Sequence, residues 1–126
     1  MDAKTIETLL TRIFAAALDL EIDKTIFRGF LPDPVNDALG VIVESFANGN
    51  EAAGCREISF QLLGRFTDRQ KAMELSGKID RWLPKYSTEL RLTKSGAVAV
   101  YESAASGKKV FELSCNGVGI FPAVDG

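Results

Sequence analysis

A chain of 126 residues, 46% apolar and 25% charged, has the length and make-up of one compact domain. Such a domain buries roughly two-thirds of its unfolded surface and needs neither a disulfide nor a metal to close its core. Its net charge of −2 and isoelectric point of about 5.2 set it apart from nucleic-acid modules, which carry a basic excess. It has no histidine, which excludes Ser-His-Asp and Cys-His catalysis and histidine-ligated metals. Its two cysteines, Cys55 and Cys115, are too few for a four-cysteine zinc site.

The first helix is expected over about residues 3–18. Ile6, Leu9, Leu10, Ile13, Phe14, Ala17 and Leu18 recur at the spacing of one apolar stripe, with Lys4, Glu7, Thr8, Thr11 and Arg12 outside it. Asp2 is a plausible N-cap, and Glu7 lies near the positive helix end. The start is acidic, with no long apolar run behind a basic one, so no signal peptide is read there. No stretch approaches the ~18 apolar residues of a membrane span, and a reducing cytoplasm is the expected setting.

Residues 24–31 read as a strand, with Thr25 and Phe27 on one side and Ile26, Arg28 and Phe30 on the other. Pro32-Asp33-Pro34 ends it. Residues 39–46 form a second strand, and Val41-Ile42-Val43 is apolar on both faces as in a central position. Residues 47–54, including Asn48, Gly49, Asn50 and Glu51, are small, polar and glycine-bearing, and read as a mobile loop.

In the third strand Ile58, Phe60 and Leu62 alternate with Glu57, Ser59 and Gln61, and Gly64 suggests a bulge. Thr67 to Gln70 fits a capping box that opens the second helix. That helix buries Ala72, Leu75, Ile79, Trp82 and Leu83, pairs Glu74 with Lys78, and stops at Pro84. Leu90 and Leu92, then Val98 and Val100, then Phe111, Leu113 and Cys115 mark three more strands, with turns at Ser95-Gly96 and Ser106-Gly107. Asn116-Gly117 is a further turn signal, which would give a short final strand at residues 118–121 and a frayed tail from Pro122. The order points to a single α+β domain over residues 1–126. Its sheet is mostly antiparallel or mixed, with five to seven strands and two main helices packed on one face.

Other motifs fail on their own chemistry. Asp19, Glu21 and Asp23 begin like a calcium loop, but Lys24 stands at the glycine position and Phe30 at the bidentate carboxylate. Gly107-Lys108-Lys109 and Gly117-Val118-Gly119 lack the helix that a phosphate or dinucleotide loop requires, and read as hairpin turns. Glu44 and Glu57, flanking the loop, read as solvated sheet ends before they read as an acid–base pair. Cys115 reads as a core thiol. Arg65, Arg69, Lys71, Lys78, Arg81 and Lys85 give the second helix a basic side. No cofactor, metal or catalytic set is expected.

The charge is uneven. Residues 1–63 carry 5 Lys/Arg against 10 Asp/Glu, and residues 64–126 carry 10 against 7, giving −5 and +3. Sampling in a short chain is the plain explanation. The sharper one is opposite-signed surfaces that meet head-to-tail between identical subunits.

Phe60-Gln61-Leu62-Leu63-Gly64-Arg65-Phe66, followed by Lys71-Ala72 and Ile79-Asp80-Arg81-Trp82-Leu83, resembles the tail terminator (minor capsid) proteins of long-tailed phages. The N-terminal helix and the proline-flanked strand after it are similar too. The resemblance implies a non-enzymatic virion protein, assembled in the host cytoplasm. It would form a homo-oligomeric, hexameric ring that caps the tail tube, stops its growth and docks the head. Its partners would be the tail tube protein and the head–tail connector, with no nucleic-acid specificity and no membrane. The loop at Asn48, Gly49, Asn50 and Glu51 and the outward residues Gln61, Arg65, Arg69, Lys78 and Arg81 are the candidate interface. A small cytoplasmic protein-binding or regulatory module is the other reading.

Overall fold

The alternation in the middle of the sequence builds the centre of the sheet. The computed structural model describes residues 3–33, 35–47, 55–86, 91–105 and 107–122. In chain order these form α1 (Ala3–Leu18), β1 (Ile26–Arg28), β2 (Ala38–Ala47), β3 (Cys55–Phe66), α2 (Arg69–Trp82), β4 (Lys85–Tyr86), β5 (Arg91–Lys94), β6 (Ala99–Ala105) and β7 (Lys108–Pro122). The seven strands make one sheet in the order β1-β2-β3-β7-β5-β4. One side of β7 pairs with β3. The other is shared by β6, along residues 108–114, and β5, along residues 117–120. Every pairing is antiparallel except β1 with β2. The α+β class, the mixed sheet and the two helices are those the sequence predicts.

Both helices lie on one face. Cross-strand partners point the same way, so Val41, Leu62 and Cys115 form one inward row and Leu39, Gly64 and Leu113 the next. α1 packs on β1 and β2, and α2 on β3, β6 and β7. The helices meet at Phe14, whose ring centroid lies 5.6 Å from that of Phe60 and 5.3 Å from that of Trp82. Ile6, Leu10, Phe14 and Leu18 are buried along α1, as are Ala72, Leu75 and Ile79 along α2. Full burial of each large side chain contributes about 1.5–3 kcal/mol, which holds the helices to the sheet.

Several local expectations are corrected. The first strand is only three residues long. Gly29, at φ +82°, breaks its alternation. Phe30 therefore comes to Phe27, with centroids 6.3 Å apart, and does not share the side of Ile26 and Arg28. Gly64 is no bulge, because the register runs through it on both sides. The irregularity falls between Val43 and Ser45. Thr11 is buried, its hydroxyl donating to the Glu7 carbonyl at 2.7 Å. Glu7 is committed to the sheet, its carboxylate accepting the Val43 N–H at 3.0 Å.

The cap of α2 is Asp68, whose carboxylate accepts the Gln70 N–H at 2.8 Å. Thr67 is not the cap, because its N–H and hydroxyl are taken by Asp37. The Gln70 side chain donates to Glu74, and among the described residues Glu74 forms no ion pair with Lys78. Asn116-Gly117 does not turn: β7 runs straight through it. A Cβ on Gly117 would stand 2.3 Å from the Phe60 ring and 2.7 Å from the Thr93 carbonyl oxygen. Close packing, not a turn, calls for that glycine, and the same holds for Gly119. The loop expected at residues 47–54 falls outside the described residues apart from Ala47, which belongs to β2. The tail beyond Pro122 also lies outside them, and Pro122 itself pairs with Cys55.

Candidate interface surfaces

The helices cover one sheet face and leave the other open. Gln61, Leu63 and Arg65 of β3 alternate outward onto that open face, beside Ile42 of β2 and Ser114 and Glu112 of β7. Tyr101 joins them from β6, opposite Glu112. A cavity of about 350 Å³ sits here between Phe30, Leu31, Leu63, Arg65, Tyr101 and Glu112. Accepting the Tyr101 hydroxyl, the Glu112 carboxylate holds the phenol above its ordinary pKa. Part-burial and the carboxylate's charge act the same way.

The candidate residues do not form one patch. Asn48, Gly49, Asn50 and Glu51 lie outside the described residues. Gln61 and Arg65 sit on the open face, whereas Arg69, Lys78 and Arg81 are exposed on α2, across the sheet. Arg65 is also occupied within the chain. Its guanidinium donates to the carbonyls of Pro32, Asp33 and Val35 at 3.1, 2.9 and 3.1 Å, pinning the segment after β1. Lys71 is paired with Asp37 at 3.6 Å.

Glu44 falls at the β2 irregularity while Glu57 pairs with Ala47, so the two carboxylates are not opposed. Among the described residues no group of three or more His, Cys, Asp or Glu is gathered as a metal site. Cys115 is buried, and burial above all pushes its thiol up to about 11, with Asp80 adding to the rise and Lys94 opposing it. No helix among the described residues is long and apolar enough to cross a membrane.

The lateral edges hold what the sequence reading passed over. On one side, a groove of about 500 Å³ runs between α1 and the outer edge of β1, past Thr8, Arg12, Ile22, Asp23, Arg28 and Phe30. Phe30 and Ile22 are 58% and 43% exposed there, and together they give the groove an apolar wall. Arg28 donates to the Thr8 hydroxyl at 2.9 Å. Among the described residues neither Arg28 nor Arg12 meets a carboxylate. On the other side, β6 pairs only with β7 among the described strands, leaving its outer backbone edge unpaired. Glu102 is exposed there and pairs with Lys109 at 2.7 Å, a contact that raises the Lys109 pKa. The signal in the sequence was Gly29: a glycine inside a short apolar alternation turns the next aromatic outward.

No protein-family model matches this chain, and no curated protein matches it.

Proposed function

We propose that the chain is a structural assembly protein that associates head-to-tail with copies of itself and caps a phage tail tube. The observation that carries the reading is the placement of charge. Residues 1–63 supply α1, β1, β2 and most of β3, and residues 64–126 supply α2 and β4 to β7. Among the described residues, the acidic half of the sequence and the basic half therefore supply the two lateral halves of one continuous sheet. Halves of opposite charge favour heterologous contacts, and heterologous contacts form rings where the rotation between copies closes. The resemblance of residues 56–83 to tail terminators supplies the identity of the ring. On this reading it is hexameric, it sits in the virion between the tube protein and the head–tail connector, and it ends tube growth.

Polymerising tail tube protein with and without the full chain, followed by electron microscopy, tests this. Tubes of bounded length carrying a ring at one end are expected. Unbounded tubes with bare ends would overturn the proposal. A second reading, a module that binds a peptide on its own, is favoured by the cavity beside Tyr101 and the groove beside β1. A chain that stays monomeric while holding a peptide there would support it.

A further inference from the structure

Resting on the self-association just proposed, we infer that the β6 edge of one copy docks in the β1 groove of the next, antiparallel to β1. The direction follows from the topology. β1 runs parallel to β2, β2 and β7 run the same way across β3, and β6 runs opposite to β7. Copies placed side by side thus bring β6 antiparallel to the neighbour's β1.

The chemistry then matches at three points. Glu102 and Arg28 both point to the helix-covered face: Glu102 is paired with Phe111 in register with Phe66, and Arg28 is paired with Val41. The Glu102 row meets β7 at Phe111 and the Arg28 row at Cys115, so docking with the copies slid four residues along the strands sets Glu102, which already holds Lys109, against Arg28 and Arg12, which meet no carboxylate among the described residues. Tyr101 points to the open face, where Phe27 and the 58%-exposed Phe30 would receive it. Aromatic and arginine side chains of this kind dominate the buried centres of protein interfaces. At the lower end, the hairpin bearing Lys108 and Lys109 comes beside the turn bearing Asp19, Glu21 and Asp23, whose only cation is Lys24, bonded to Glu21.

The contact is heterologous, and the backbone shows why β1 is the receiving side. At Ile26 the N–H donates to the Glu21 carbonyl at 3.1 Å and the carbonyl accepts from Asp23 at 2.9 Å. The turn thus closes the β1 edge at that point. The outer edge of β1 is left open at Arg28, where the backbone of β6, unpaired on its outer side among the described strands, can add.

Sedimentation of the full chain and of Arg28→Glu, Glu102→Arg and the double variant tests the inference. The wild-type chain associates. Each single reversal opposes like charges and weakens association at least about tenfold. The double reversal recovers it, as does an equimolar mixture of the two singles, because alternating copies again oppose unlike charges at both edges. Phe30→Ser, at an exposed position that leaves the fold intact by circular dichroism, also weakens association. If the wild type associates and none of these changes matters, the copies meet through another surface. This inference then falls while the ring proposal stands. A chain that is monomeric alone and on tail tubes overturns both. So does a groove filled by an acidic segment of a different protein while the copies stay apart.

Discussion

Glu7 ties the N-terminal helix to the sheet at a defect. β1 pairs with β2 only as far as Val41, so on that side the Val43 N–H has no strand partner and Glu7 accepts it. The same carboxylate lies 2.8 Å from where a Cβ on Gly29 would stand. Glu7→Ala leaves a half-buried N–H unmatched and is expected to cost about 1–3 kcal/mol in urea unfolding, while Glu7→Gln keeps an acceptor and costs less. Gly117→Ala drives a methyl into the Phe60 ring and a backbone carbonyl and should cost about 1–3 kcal/mol or more. Gly107→Asn, at φ +76° with open space around it, should be nearly neutral. An unfolding midpoint shifted equally by both glycine changes would contradict this account of the packing.

Cys115 gives a pH-linked test at the same scale. With its thiol raised to about 11, about one in a thousand is thiolate at pH 8. In a Cys55→Ser background, disulfide-exchange labelling should therefore wait for unfolding. Its folded pKa lies above the ordinary 9.0, so its contribution to stability is full below pH 9 and is lost as pH rises through about 11. Labelling of the native protein as fast as that of the unfolded chain would contradict the burial.

Among the elements, α2 separates two accounts of its own start. A capping box places the loss at Thr67, whereas the structure places it at Asp68. Asp68→Ala should lower stability by about 0.5–2 kcal/mol, and Thr67→Ala by less, because the Thr67 N–H keeps its bond to Asp37. Denaturant titration of both checks the order. The apolar stripes of α1 and α2 and the alternation of β3 were legible in the sequence because helical and strand periods leave a direct mark on which residues are apolar. The continuous β7 was not. Gly117 answers to Phe60 and Thr93, which are distant in sequence, and an Asn-Gly pair reads locally as a turn. The two-residue β4 is too short to carry a period. The candidate interface suffered in the same way: alternation showed Gln61 and Arg65 facing outward, but not that Arg65 is spent on three carbonyls of the segment after β1.

For the whole molecule, the gain over the sequence is lateral order. A charge imbalance between two halves of a chain says nothing about space until the topology assigns each half to a side. Here the order β1-β2-β3-β7-β5-β4 does so. On the proposed docking, the open sheet face, with Ile42, Leu63 and Tyr101, would continue from copy to copy. Contacts dominated by exposed charge weaken with salt, so association should fall between low and physiological ionic strength and fall further at about 1 M, where the Debye length is ~3 Å. Light scattering across a salt series checks that dependence.

Head-to-tail association is the central claim, and the absolute mass of the full chain at high protein concentration and low salt tests it most directly. The account predicts a closed assembly of several 13.7 kDa copies, about 82 kDa for six. A mass of 13.7 kDa at every concentration, with tail tubes present or absent, would contradict it.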